Sequence, residues 1–226
     1  MNNQSVQVQG LNKFYSKIYA YLAMGVGISA LTSYLSLTVF RPQVASFINN
    51  FPLGFMGLWI AEIALVLVLG MKAQKNPSLA IGGFIAYSVL NGITLAVTLS
   101  MYTPGKITAA FVTSAGMFLG MSAVGMFTKK DLSGIGRAGY SALIGVILAM
   151  LLNGFVLHSS PVDFFISILM VLIFAGITAY DNQNIRNIYF QTNGTANNGV
   201  AVFMALQLYL DFINLFLAFL RIFGRD

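Results

Sequence analysis

The chain contains no cysteine, and only 8% of its 226 residues are Asp, Glu, Lys or Arg. The first absence excludes disulfides and thiolate metal sites. The second excludes an ordinary water-facing surface, because a soluble domain carries about a quarter charged residues. No polar tract is long enough to separate two domains, no segment is of low complexity, and no internal repeat is evident. In place of charge there is apolar bulk: 58% of the residues are hydrophobic and the mean hydropathy is +0.80. Lipid must therefore solvate most of the outer surface. The formal charge of +6 does not point to nucleic acid, since the twelve Lys and Arg stand singly or in pairs between apolar runs and read as topology markers.

The apolar runs lie at about 18–40, 53–71, 79–101, 107–127, 138–157, 162–180 and 200–220, each near the roughly 20 residues a spanning helix needs. Seven such runs with short connections predict an all-α, polytopic seven-helix bundle forming one domain, preceded by a polar, frayed tail over residues 1–12. The first run follows Lys13 and Lys17 and exceeds a signal-peptide core, so it reads as a retained span. Lys13, Lys17, Lys72, Lys75, Lys129, Lys130, Arg137 and Arg186 fall on one side, against Arg41, Lys106, Arg221 and Arg225. That excess places the N-terminus in the cytoplasm. A full seventh crossing puts the C-terminus outside, whereas the basic ending LRIFGRD also suits a re-entrant last segment. Short tails without a retention signal favour a bacterial inner membrane over an organelle.

Several patterns have plain readings. Gly134 to Gly139, GIGRAG, matches G-x-G-x-x-G by letter, but no strand precedes it, and it reads as a flexible loop leading into small-residue helix packing. Asn193-Gly194-Thr195 is a glycosylation sequon on the predicted cytoplasmic side, hence turn chemistry. Gly116 and Gly120 form a small-xxx-small stripe for close helix packing, and Asn91 shares a face with Ser88 and Thr98 for helix-to-helix hydrogen bonding. Lys129, Lys130 and Asp131 read as a solvated loop, His158 as an exposed one, and Trp59 with the span-end tyrosines as interface anchors.

Ionisable residues within the runs are the candidates for function, because an acid at a helix centre costs roughly 2.5–3.5 kcal/mol on insertion scales. There are three. Glu62 lies mid-way along the second run among Leu58, Leu65, Val66 and Leu69. Asp181 closes the sixth, with Thr178 and Asn184 three residues to either side on its face. Asp211 sits near the middle of LYLDFINLFLAFL, with Gln207 at i−4 and Asn214 at i+3, a polar stripe that lipid cannot satisfy. Two inward carboxyls that approach each other share a proton, which links their helices at moderately acid pH and makes a latch. Deprotonated, the pair attracts a cation. Calcium prefers six to eight hard oxygens, so Asp181 and Asp211 with Gln207, Asn214, carbonyls and water would hold it weakly and in transit. No other cofactor is expected.

AYDNQNI, Ala179 to Ile185, and LYLDFINLFLAFLRIFG, Leu208 to Gly224, resemble the signature segments of the Bax inhibitor family, also called the transmembrane Bax inhibitor motif family. KKDLS, Lys129 to Ser133, and the seven spans also fit a bacterial member. The resemblance implies six helices around a central seventh and a pH-sensitive calcium leak, with the family's paired aspartates at Asp181 and Asp211 and its second-helix acid at Glu62. One departure stands out: where family members can carry an arginine near the cytoplasmic end of the second helix that engages the aspartates, GMKAQK offers only Lys72 and Lys75.

Two other classes of function compete. A membrane-embedded regulator that binds another membrane protein, such as a quality-control protease, is compatible with the same letters, and some of the family is thought to act so. An intramembrane aspartyl protease also needs two aspartates on neighbouring helices. Tyr180-Asp181 matches half of its signature, but LYLD, Leu208 to Asp211, lacks the G-x-G-D that lets a substrate strand approach. A non-enzymatic role is therefore expected.

Overall fold

The computed structural model describes residues 3–51 and 54–224. Among them are helices α1 (Asn3–Thr38), α2 (Arg41–Asn50), α3 (Gly54–Lys72), α4 (Pro77–Leu99), α5 (Pro104–Phe127), α6 (Ser133–Leu152), α7 (Ser160–Gln191) and α8 (Asn198–Phe223), with a π turn over Asn153–Leu157 and no strand. Seven of them, all but α2, are long and apolar enough to cross a membrane. The protein is thus an all-helical, multi-pass membrane protein, as its hydropathy predicts. Local chemistry sets the boundaries. Pro42 and Pro77 occupy first turns, where their missing amide has no partner to lose. Asn76 caps α4 by accepting the Leu79 amide at 3.1 Å, and Asn197 caps α8 by accepting that of Val200 at 3.0 Å.

The spans differ from expectation in three places. Residues 3–12 are not a frayed tail but the start of α1, which runs unbroken for 36 residues. The connection after α1 holds a helix of its own, α2. The sixth run does not stop at 180: α7 continues to Gln191 and, with 32 residues at about 1.5 Å each, is ~48 Å long. Its polar end stays helical because its side chains find partners, described below. α8 is one continuous helix of 26 residues, ~39 Å, long enough for a full crossing and without the break of a re-entrant segment.

Two compact units divide the chain, and each has its own packing. The first comprises the chain up to Thr103 with Gln191–Leu206. In it α1 lies along α4, where the Ser29 and Ser33 hydroxyls donate to the Ser88 and Gly92 carbonyls, both at 2.7 Å. Serine-to-backbone bonds of this kind join helices that lipid gives no hydrophobic reason to associate. The predicted Asn193-Gly194-Thr195 turn is present, with φ of 49° at Asn193 and 74° at Gly194. It leads into α8, whose head is tied down by Lys17 donating to Asn198 and by Asn197 donating to the Gln74 carbonyl at 2.7 Å.

The second unit comprises Pro104–Phe190 and the chain from Gln207 onward. α5 meets α8 through Phe111 and Phe118, whose rings stand edge-on to Phe212 at 5.6 and 5.8 Å. α5 meets α7 at Gly125, where a Cβ would fall on the Ala179 carbonyl oxygen and within 2.9 Å of the Asn182 Cβ. GIGRAG is not a loop: it belongs to the first turns of α6. Its packing role holds for Gly136 and Gly139, which lie against Tyr180 and Ile177 of α7. Gly116 and Gly120, by contrast, have nothing within 4 Å of a built Cβ, so none of the described residues fills that stripe. The last span is the most enclosed of the seven, with 72% of its apolar window buried against 11–50% for the others.

Candidate functional site

The polar end of α7 is held by the partners of three side chains, Asn182, Gln183 and Arg186. Asn182, fully buried, donates to the Ser122 hydroxyl of α5 at 3.0 Å and to the Thr178 carbonyl at 2.8 Å. Gln183 clamps the α5–α6 connection, donating to the Lys130 carbonyl at 2.8 Å and accepting the Leu132 amide at 2.9 Å. One turn on, Arg186 reaches the Met126 and Thr128 carbonyls, both at 3.3 Å. These are the orphan carbonyls at the C-terminus of α5, where a cation is favoured by the helix dipole. None of the bonds to α5 and the α5–α6 connection is visible as a sequence motif, because each joins residues more than fifty positions apart.

Asp181 stands within this scaffold, 4% exposed. Its partner is the Tyr140 hydroxyl of α6, 3.0 Å from Oδ1 and 3.2 Å from Oδ2. Asp211, on α8, is 3% exposed. The two aspartates predicted to pair are thus both buried in the second unit. Asp211 differs from Asp181 in one respect: among the described residues no donor meets its Oδ2, and none meets Oε1 of Gln207 one turn before it. Two buried acceptors on one helix face carry a desolvation penalty of about 1–3 kcal/mol each until something with a proton or a positive charge meets them.

The remaining predicted residues separate from that pair in definite ways. Asn214 is half-buried and donates back to the Leu210 carbonyl at 2.8 Å, and Thr178 does the same to Phe174 at 2.7 Å, so both bond along their own helices. Asn184 is half-buried on α7. Glu62 and Lys72 belong to the first unit. Glu62, half-buried, accepts the Thr94 hydroxyl at 2.8 Å and the Asn91 amide at 3.4 Å. Asn91 thus serves this acid, with Thr94 rather than Ser88 or Thr98 as its companion. Lys72 is exposed in the last turn of α3. His158 is exposed with φ of 47°, closing the π turn, and Lys129, Lys130 and Asp131 form an exposed connection as predicted. The Ser133 hydroxyl and amide bond Asp131 Oδ1 at 2.7 and 2.9 Å, which holds that carboxyl below the usual range.

Sequence reasoning missed Tyr140, which it leaves among the span-end anchors, and Thr94. The signal for Tyr140 was the glycine one turn before it, Gly136, which marks a close approach on the same face of α6. Among the described residues no three of His, Cys, Asp and Glu come together, so the aspartate pair is the largest concentration of acid oxygen available at one place.

Known proteins are similar in sequence along most or all of this chain. A membrane protein of Streptococcus pyogenes serotype M1 is 46% identical, with all of both chains covered. The inner membrane protein YbhL of Escherichia coli K12 is 39% identical over 96% of this chain and 93% of its own. A protein of Borreliella burgdorferi is likewise 39% identical, over 95% and 92%. The family described as inhibitor of apoptosis-promoting Bax1 matches residues 11–226, which carry both aspartates and the scaffold around them. The chain belongs to the Bax inhibitor family.

Proposed function

We propose that the protein is a pH-sensitive leak for calcium across the cell membrane, gated by a proton shared between Asp181 and Asp211. The observation that carries this reading is the two buried carboxyls, with Asp211 Oδ2 and Gln207 Oε1 met by no donor among the described residues. With the shared proton in place, α7 and α8 are linked and the charge that would draw a cation is reduced. Without it, the like charges repel and the acceptors face a cation with their full charge. Glu62 is assigned to conduction as well, since a half-buried acid with two neutral partners is costly within a span. The eight-to-four distribution of basic residues supports a cytoplasmic N-terminus, and the name of the YbhL relative supports a cell-membrane location.

The test is calcium entry into liposomes holding the purified protein and an internal dye. Expected is a flux that rises from acid to neutral pH and loses that dependence in Asp211→Asn and Asp181→Asn, because Asn has the shape of the protonated acid without its charge. No flux at any pH, or the same profile in both variants, refutes the reading.

A further inference from the structure

Tyr140 belongs to neither aspartate helix, yet its hydroxyl faces both oxygens of Asp181, at 3.0 and 3.2 Å. That edge of a carboxylate is the one a calcium ion takes when it binds in bidentate fashion, at 2.3–2.6 Å. A single O–H spread over two acceptors makes two long bonds, beyond the roughly 2.5–2.7 Å of a strong O–H to carboxylate bond. It covers the edge without holding it fast. The ring is placed from the other side by a defined contact. A Cβ at Gly136 would lie 2.5–2.7 Å from Tyr180 ring atoms, so the Tyr180 ring rests on the bare α6 backbone and meets Tyr140 edge-on at 6.3 Å and 85°. Tyr140 is 41% exposed over a carboxyl that is 4% exposed.

We propose that the Tyr140 hydroxyl is a displaceable plug, occupying the bidentate edge of Asp181 and competing there with a divalent cation. This rests on the cation-leak reading and adds to it a residue that sets the apparent affinity. Tyr140→Phe keeps the ring on Tyr180 and removes only the oxygen. Its half-saturating calcium concentration in the liposome assay should fall about tenfold, ~1.4 kcal/mol. The shift should vanish in an Asp181→Asn background, which a general loosening of the fold would not produce. An unchanged half-saturating concentration, or the same shift with Asp181 replaced, overturns the assignment. If wild-type liposomes pass no calcium, the leak reading falls by itself. Equilibrium binding of radioactive calcium to the detergent-solubilised protein then decides on Tyr140: tighter binding in Tyr140→Phe supports the plug, and equal or absent binding in both proteins overturns it.

Discussion

Three glycines of α5 answer differently to the same added methyl group. At Gly125 a Cβ has no room: it falls on the Ala179 carbonyl oxygen and 2.9 Å from the Asn182 Cβ, and the first of these is backbone that cannot swing aside. Gly125→Ala must push α5 and α7 apart. Overfilling of a packed contact costs about 1–3 kcal/mol. The separation also stretches the 3.0 Å bond from Asn182 to Ser122, worth ~1 kcal/mol between membrane helices. The sum is a loss of about 3 kcal/mol. At Gly116 and Gly120 a Cβ meets nothing within 4 Å, and alanine's better helix propensity leaves those variants within ~1 kcal/mol of wild type, on the stable side. Unfolding of the purified protein in mixed micelles by increasing dodecyl sulfate, followed by circular dichroism, compares all three. If Gly125→Ala unfolds at the same detergent fraction as the other two, the close approach of α5 and α7 is wrong.

Arg186→Gln removes the charge that caps the final carbonyls of α5. It should cost ~1–2 kcal/mol in the same unfolding assay, with Arg186→Lys intermediate because an ammonium lacks the fork that spans two carbonyls. Asp131, held below its usual range by Ser133, contributes order to the α5–α6 connection above its unfolded value. That order is lost only as pH falls through the lower, folded value. The protection of the Ser133 amide, its exchange rate relative to the intrinsic rate at each pH, should therefore persist from neutral pH downward and be lost only below about pH 4; loss of protection already at about pH 6 would contradict the bond.

The spans were legible because seven apolar runs have no other use for their length in water. Their ends were less so, and α7 shows why. Hydropathy stops at Tyr180, where the letters turn polar. The helix continues because Asn182, Gln183 and Arg186 meet Ser122, the 130–132 backbone and the end of α5, partners that no local window contains. α2 escaped notice for the opposite reason: RPQVASFINN is too polar to register as a span, and only its proline marks a start. Asp181 and Asp211 stood out as charges in apolar company, and the resemblance implied that they pair. Tyr140 did not stand out, since a tyrosine at the start of a span has an ordinary explanation and its acid lies 41 positions away.

The clamp of Gln183 and Arg186 on the α5–α6 connection has a mechanical consequence. Asp181 shares a rigid rod with both clamps, so any turn of α7 that swings the carboxyl must drag the backbone at Lys130 and Leu132 with it. The exposed connection is in effect a pointer geared to a buried axle. A spin or fluorescent label on Lys129, itself exposed, would read the angle of that axle from outside the bilayer while the aspartates stay untouched.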